Sequence, residues 1–497
     1  MSSSPPSKSL SQRAANGAYW SALASASQQI ITFLIFAVLA HKLTPLEFGV
    51  VAIASLFLDL LTLVGRIGLT EAIVQRNVLS KDIEATAFWL SCLFGLACSI
   101  TLFFIAYPIS DYFRNPDLVV LTQWFAPVVF LNALGTLPEG LLKRAFTFKA
   151  LAIRGVVATA IGGVVAITMA ISDFGAISLV AQRLVMATIL TTAIWHAVKC
   201  WPSMRFSTKE ARHLLHMGAA LATSSLLAVG NQRILDGVIG RLLGATPLGF
   251  MRIAWRGFDA ITAAIFMPIL QMSLPLFSRL QNEKLRLADA YIQLSGLASI
   301  LVFPTFIGSI LIAPEFIRMA FGPQWDTSIV LMQILSLSAL TMPLIWFKSS
   351  ALLALGHSGL VLKLNVLEFL ISFGIVAISC NWGLIGVAWG NVIRVIVVSA
   401  PILWALKHYV GISPFRLLKS NLPALISVAL MFSAGYAVRT FMPLPDEPIL
   451  KLIATIAFCI PVYFASLIIF FRSTVVHFAT HAPSPINKII CTFTRPK

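Results

Sequence analysis

Charged side chains interrupt the apolar segments of this chain, and arginine is the most frequent of them. Four such arginines are Arg66, Arg233, Arg252 and Arg256. An ionised side chain at the centre of a bilayer costs about 2.5–3.5 kcal/mol on insertion scales, so positions that face lipid are disfavoured. A guanidinium group binds phosphate through paired, charge-assisted hydrogen bonds. We therefore predict that these arginines line a wet, cationic cavity and that at least one of them contacts a phosphate group.

Carboxylates accompany the arginines, namely Asp59, Asp236, Asp259 and Glu368. Asp236 follows Arg233 by three residues, and Asp259 follows Arg252 by seven, so each pair lies on one stripe of its helix. The three carboxylates nearest to the arginines, Asp59, Asp236 and Asp259, are too few to neutralise all four of them, which favours an anion site. Two other interpretations stay open. The charges tie helices together as ion pairs, or arginines near helix ends extend to the membrane interface.

The elements that position these residues are membrane-spanning helices. The chain is 58% hydrophobic and 11% charged, whereas a soluble domain is about 25% charged. About fourteen apolar runs have the roughly 20 residues that a spanning helix needs. Segments 217–241 and 46–67 are the least apolar of them. We expect an all-α polytopic membrane protein with about 14 transmembrane helices.

The Lys and Arg residues predict the orientation of these helices. With the N-terminus in the cytoplasm, 24 of the 36 basic residues fall on the cytoplasmic side and 6 on the opposite side. This bias follows the positive-inside rule and predicts a multi-pass protein with both termini in the cytoplasm. The net charge of +17 thus reflects topology. Because the basic residues are spread over short loops, nucleic acid is excluded as a partner.

The chain also contains a duplication. The sequence from Leu43 to Gly49 (LTPLEFG) returns as Ala245 to Phe250 (ATPLGF), and Ser172 to Ile177 matches Cys380 to Ile385, at offsets of about 202 and 208 residues. Both halves start on the same side, so they should be related by an axis along the membrane normal. The fold is then two pseudo-symmetric six-helix lobes plus two C-terminal helices around a central cavity.

The predicted domain boundaries follow from this organisation. They are a cytoplasmic tail 1–17, an N-lobe 18–198, a basic amphipathic cytoplasmic linker 199–216, a C-lobe 217–405, a cytoplasmic loop 406–420, two final helices within 421–471 and a cytoplasmic tail 472–497. Helix starts are predicted where Thr44 precedes Glu47 and where Ser207 precedes Glu210, since each pair has the spacing of a capping box.

Signatures of catalysis are missing from the sequence. The six cysteines are scattered and the eight histidines have no metal-ligand spacing. No phosphate-binding loop of the type that hydrolyses ATP is present. No nucleophile lies at a convincing distance from a base. We therefore predict no enzyme activity, no catalytic residue, no metal and no cofactor.

Several motifs carry a family resemblance over nearly the whole chain. They are Leu43 to Gly49, the segment Gly65 to Arg76 (GRIGLTEAIVQR), the stretch from Leu137 to Arg154 and Phe174-Gly175. They resemble the polysaccharide-transport branch, with its Wzx-type flippases, of the multidrug/oligosaccharidyl-lipid/polysaccharide exporter superfamily. The resemblance implies alternating access that moves an undecaprenyl-diphosphate-linked oligosaccharide across the bacterial inner membrane, for exopolysaccharide or lipopolysaccharide biosynthesis.

Under this resemblance the four arginines would hold the diphosphate, and Asp59, Asp236, Asp259 and Glu368 would be candidates for ion or proton coupling. The expected partners are the lipid-linked oligosaccharide, membrane lipids, and a polysaccharide polymerase with its export machinery. Two alternatives stay open. A cation-coupled multidrug antiporter of the same fold would need an acidic cavity. A membrane-embedded polysaccharide polymerase would need a large outer loop, and the predicted outer loops are short.

Overall fold

The structure is a computed structural model that describes residues 10–76, 79–145, 147–198, 202–442 and 447–470. Contacts divide the chain into two compact units, Met1–Gly249 and Phe250–Lys497. Regular structure within the described residues is helical throughout, which confirms the all-α class. The predicted tail 472–497 lies outside the described residues, as do most of the tail 1–17 and residues 199–201 of the predicted linker.

The first unit contains nine helices within the described residues, and a tenth begins in it. They are α1 (Leu10–Lys42), α2 (Pro45–Arg66), α3 (Leu69–Gln75), α4 (Lys81–Phe113), α5 (Asp117–Leu134), α6 (Thr136–Arg144), α7 (Phe148–Ile171), α8 (Ile177–Val198), α9 (Thr208–Leu242) and α10 (Ala245–Ile261).

In the second unit α10 continues into a π-helical turn, Thr262–Phe266, and further helices follow. They are α11 (Met267–Arg279), α12 (Lys284–Phe321), α13 (Asp326–Leu337), α14 (Met342–Ile345), α15 (Lys348–Ala354), α16 (Ser358–Ser379), α17 (Gly383–Ala405), α18 (Pro414–Phe441) and α19 (Pro448–Phe470).

Eleven segments of the described chain are long and apolar enough to cross a membrane. One of them, Ser358–Val410, contains both α16 and α17, so it corresponds to two of the predicted spans. The predicted spans 217–241 and 248–273 form helices but are not among the eleven. The polytopic class is confirmed, while the count of 14 is not.

The helix starts show one full and one partial capping box. Thr44 and Glu47 exchange hydrogen bonds at the start of α2, as predicted. Ser207 accepts a bond from the Glu210 backbone at the start of α9, but the Glu210 carboxylate pairs with Arg76 instead of returning to its cap (2.9 Å). An arginine in reach offers the carboxylate a charged donor, which a backbone N–H cannot match.

Helix α9 runs unbroken from Thr208 to Leu242, so the predicted boundary between linker and C-lobe falls inside one helix. The first turns of α9 bury Ala211 and Leu214 in a core formed with α3 and the start of α4. This packing explains why contacts place α9 in the first unit. The lobe boundaries drawn from the sequence stay a prediction.

Two spanning segments of the first unit are broken. Between α2 and α3, Ile67 and Gly68 have left-handed backbone angles, with φ of 42° and 61°. A β-branched residue rarely adopts such an angle, so the chain turns here at a cost that its packing must offset. Gly135 separates α5 from α6. Both breaks leave short helices, α3 and α6, that pack on each other.

Candidate functional site

A cluster of charged residues from three helices lies beside these breaks, and we call Arg66, Glu139, Lys143 and Arg154 the Glu139 cluster. Glu139 of α6 contacts Arg66, the last residue of α2, at 3.1 Å. It also contacts Lys143, one turn along α6, at 2.8 Å and Arg154 of α7 at 3.7 Å. Three cations therefore surround one carboxylate.

The Glu139 cluster carries surplus positive charge in a half-buried setting. Its side chains are between 16% and 36% exposed, with Arg154 the least exposed and Lys143 the most. The Nε of Arg154 is buried and has no hydrogen-bond partner within the described residues. A buried donor without a partner costs about 1–3 kcal/mol. The cluster thus has a net charge of +2 and a hydrogen-bond donor, Arg154 Nε, that could still bind an acceptor. These are the properties of an anion site.

The sequence explains why the cluster forms at this place. The break at Ile67 and Gly68 ends α2 at Arg66, whose guanidinium also donates to Thr70 in the first turn of α3 (3.1 Å). The break at Gly135 starts α6 so that Glu139 and Lys143 share one face, four residues apart. The buried residues Leu69, Ile73 and Leu137 hold α3 and α6 together.

The second predicted arginine, Arg233, contacts two carboxylates. Arg233 of α9 lies 2.5 Å from Asp59 of α2 and 3.6 Å from Asp236 of its own helix. Asp236 is buried, with 6% of its surface exposed. The sequence related Arg233 to Asp236 by their spacing, whereas Asp59 approaches from another helix.

Arg252, Arg256 and Asp259 share α10 in the second unit, as their spacing predicted. The two arginines are half-buried and Asp259 is exposed. Among the eight predicted site residues the structure therefore brings Asp59, Arg233 and Asp236 together within the first unit. Arg66 forms part of the separate Glu139 cluster.

Glu368, the last predicted carboxylate, is not isolated in its apolar helix. It accepts a hydrogen bond from Lys348 of α15 at 2.6 Å, and both side chains are largely buried. Arg394 of α17 lies nearby and donates to Asn391 and Ser372, each at 3.1 Å. These residues form a polar network inside the second unit.

The prediction of site residues from the sequence did not include Glu139, Lys143, Arg154 and Lys348. The three basic residues among them fall on the cytoplasmic side in the predicted topology, and so they were not considered as cavity residues. A signal was available for two of them. Glu139 and Lys143 have the i, i+4 spacing of an ion pair on one helix face. Lys348 and Glu368 are 20 residues apart and belong to different helices, so no local pattern relates them.

A cavity of about 320 Å³ lies in the second unit between α12, α18 and α19. Its walls are mainly apolar and include Leu301, Ile312, Met431 and Phe464. Tyr463 closes one side, and its hydroxyl donates to the Ile300 carbonyl at 3.0 Å. The chemistry of this lining suits an alkyl chain.

Comparisons with known proteins find relatives in sequence and in fold. The sequence profile of a family described as "Polysaccharide biosynthesis protein" matches residues 38–330. A lipopolysaccharide biosynthesis protein of Escherichia coli is 24% identical over 420 residues, which are 82% of each chain. A succinoglycan biosynthesis transport protein of Rhizobium meliloti is 24% identical over 64% of this chain and 65% of its own.

Solved structures show the fold. The lipid II flippase in an inward closed conformation superposes with a TM-score of 0.75 at 14% identity, over 92% of this chain and 99% of its own. An inward-facing multidrug transporter of the MATE family in the MOP superfamily gives 0.58 at 15% identity, over 84% and 96%. At such identities the likeness concerns the fold and not the substrate.

Proposed function

Because this chain belongs to the polysaccharide biosynthesis protein family, we propose that it flips an undecaprenyl-diphosphate-linked oligosaccharide across the bacterial inner membrane. The flipped unit would serve exopolysaccharide or lipopolysaccharide biosynthesis. Movement would follow alternating access, with the sugar and diphosphate inside the protein and the lipid tail in or near the bilayer. The apolar cavity between α12, α18 and α19 offers such a tail a surface.

The observation that carries the proposal is the surplus charge of the Glu139 cluster. Three cations against one carboxylate match the negative charge of a diphosphate. Arg66 and Arg154 can form paired contacts with phosphate oxygens, whereas Lys143 acts as a point charge. Glu139 would hold these side chains in place before the substrate arrives. Of the four predicted arginines, Arg66 therefore has the most support as a ligand of the diphosphate.

Arg252 and Arg256 keep their proposed role as cavity residues, on the strength of their common stripe on α10. Arg233 has less support as a phosphate ligand, since Asp59 and Asp236 already neutralise it. Its two carboxylate partners, Asp59 and Asp236, are instead candidates for cation coupling, because a carboxylate can take up a proton or a metal cation.

These two carboxylates are also the observation that keeps a second function open, namely a cation-coupled antiporter of the same fold. In the flippase, Asp59 and Asp236 would bind the coupling ion, and the Glu139 cluster would bind the substrate. Glu368 is a weaker candidate for proton uptake because protonation would leave Lys348 without its counter-ion. Asp259 is exposed and remains a candidate from its sequence position alone.

The experiment is a deletion of the gene in its source strain. The strain should accumulate lipid-linked oligosaccharide in the cytoplasmic leaflet, where a glycosidase added outside spheroplasts cannot digest it. The wild-type gene should restore digestion, while Arg66→Ala and Arg154→Ala should not at matched expression. Arg66→Lys should restore it in part, because lysine lacks the paired contact.

A matched control is Arg318→Ala, since Arg318 pairs with Asp326 on an exposed surface and should leave export intact. Normal digestion in the deletion strain would refute the flippase function. Normal digestion in both cluster variants would refute the site.

A further inference from the structure

The polar network of the second unit carries a surplus of positive charge that could bind an anion. We call its residues Lys348, Glu368, Ser372, Asn391 and Arg394 the Arg394 network. Two cations and one carboxylate give it a net charge of +1. Lys348 holds Glu368 by a direct hydrogen bond of 2.6 Å. Arg394 forms no salt bridge with any described residue and donates only to the neutral oxygens of Asn391 and Ser372.

Two donors of the Arg394 network have no acceptor. The Nη2 group of Arg394 makes no hydrogen bond with the described residues, since Nε and Nη1 supply its two bonds. The amide nitrogen of Asn391 is buried without a partner, and the residue as a whole is 3% exposed. Its orientation is set, because the oxygen of the same amide accepts from Arg394. An oxygen ligand would satisfy both donors.

The network lies where a charge without a compensating partner is costly. Glu368 and Arg394 lie near the middle of α16 and α17, within a segment apolar enough to span a membrane. Buried charges in proteins are usually paired or hydrogen-bonded to compensating groups. Intramembrane ionisable residues therefore mark functional sites by default.

The other half of the duplication has a different set of side chains at the corresponding positions. With the offset of about 208 residues, α7 and α8 of the first unit correspond to α16 and α17. Met186 then occupies the position of Arg394 and packs against Gly162, while the exposed Arg183 occupies the position of Asn391. The buried pair of Arg394 and Asn391 is thus particular to the second unit.

We propose that the Arg394 network binds the carboxylate of an acidic sugar. A carboxylate is a monoanion, which balances the single surplus charge, and its two oxygens accept from one guanidinium and one amide donor. The inference rests on the proposed function in one respect, namely that the sugar belongs to the transported oligosaccharide. It deepens that function by naming a substrate class, glycans that contain uronic acid or another carboxylated sugar.

The test measures the thermal stability of the purified full-length protein in detergent at constant ionic strength. Sodium glucuronate should raise the melting temperature, whereas glucose and sodium chloride should not. Inorganic phosphate should act more weakly than glucuronate. Arg394→Met and Asn391→Leu should each raise the glucuronate concentration for half-maximal effect at least tenfold. Arg183→Met is the matched control, because Arg183 is an exposed arginine on α8, and it should respond like the wild type.

A second variant keeps the test decisive if Arg394→Met fails to fold. Asn391→Asp would place an internal carboxylate oxygen where the buried amide nitrogen now lies. It should raise the melting temperature without ligand and abolish the response to glucuronate. Equal responses to glucuronate and glucose, a stronger response to phosphate, or an undiminished response in Asn391→Asp would overturn the proposal. Because the assay measures binding alone, these results leave the export test of the Glu139 cluster unaffected.

Discussion

Removing the carboxylate of Glu139 should destabilise the first unit more than removing any one of its cationic partners. Glu139→Gln would leave the positive charges of Arg66, Lys143 and Arg154 together without an anion. Two of the three contacts are hydrogen bonds, at 3.1 Å and 2.8 Å, and the third is a looser contact at 3.7 Å. The net charge of the cluster would rise from +2 to +3.

The expected magnitude follows from these contacts. Hydrogen bonds to charged groups contribute about 1.5–3 kcal/mol each, and partial exposure places this pair toward the lower end. The Arg66 bond then contributes about 1.5 kcal/mol and the i, i+4 pair with Lys143 about 0.3–0.5 kcal/mol, so Glu139→Gln should lower the free energy of unfolding by about 2 kcal/mol. Lys143→Met removes one i, i+4 pair on a helix surface and should cost only about 0.3–0.5 kcal/mol.

The assay is equilibrium denaturation of the purified protein in mixed micelles, followed by tryptophan fluorescence. A double-mutant cycle of Arg66→Met with Glu139→Gln isolates their pairwise energy, which should reach about 1 kcal/mol or more. Lys143→Met serves as the matched control on the same helix face. Equal destabilisation by Glu139→Gln and Lys143→Met would show that Glu139 does not organise the cluster.

Three other predictions follow from topology, close packing and charge pairing. Reporter fusions should all report the cytoplasm when they are placed after Lys81, Lys149, Arg212, Arg286, Lys363 and Arg416. An outward location at two or more of these six sites would contradict the predicted topology. Gly49→Ala and Gly249→Ala should lower the yield of folded protein by overlapping a facing backbone, while Gly374→Ala, whose Cβ meets no atom within 4 Å, should not; equal yields would exclude the overlap. Lys348→Met alone should lower the melting temperature more than Lys348→Met combined with Glu368→Gln, because the single change leaves a half-buried carboxylate unpaired; a larger loss in the double variant would disprove this.

The fold could be predicted from the sequence wherever local signals act. The apolar runs, the Thr44 and Glu47 capping box and the two copies of the TPL motif each depend on neighbouring residues, and the structure has helices at these places. The break after Arg66 was missed. Ile67 has a side chain that disfavours a left-handed backbone angle, so only its packing can hold it there.

The types of residue in the candidate site could be predicted from the sequence, but which carboxylate pairs with which arginine could not. Arginine in an apolar segment pointed to Arg66 and Arg233, and both form ion pairs in the structure. Which carboxylate each meets depends on helix packing, since Glu139 lies 73 residues from Arg66 and Asp59 approaches Arg233 from another helix. Tertiary contacts therefore decide the partners, and Arg66 shares its carboxylate with two other cations while Arg233 contacts two carboxylates.

The charges that join corresponding helices of the duplication differ between the two units. In the first unit α6 supplies the acid, Glu139, and α7 supplies the base, Arg154. In the second unit the corresponding α15 supplies the base, Lys348, and α16 the acid, so the same pair of helices is tied with exchanged charges. An ion pair can join two helices whichever of them carries the acid, and such a pair needs no excess of positive charge. Yet each unit keeps one, +2 around Glu139 and +1 around Arg394. Under the two proposals made above, these surpluses would bind separate parts of one anionic cargo, the diphosphate at the Glu139 cluster and a sugar carboxylate at the Arg394 network.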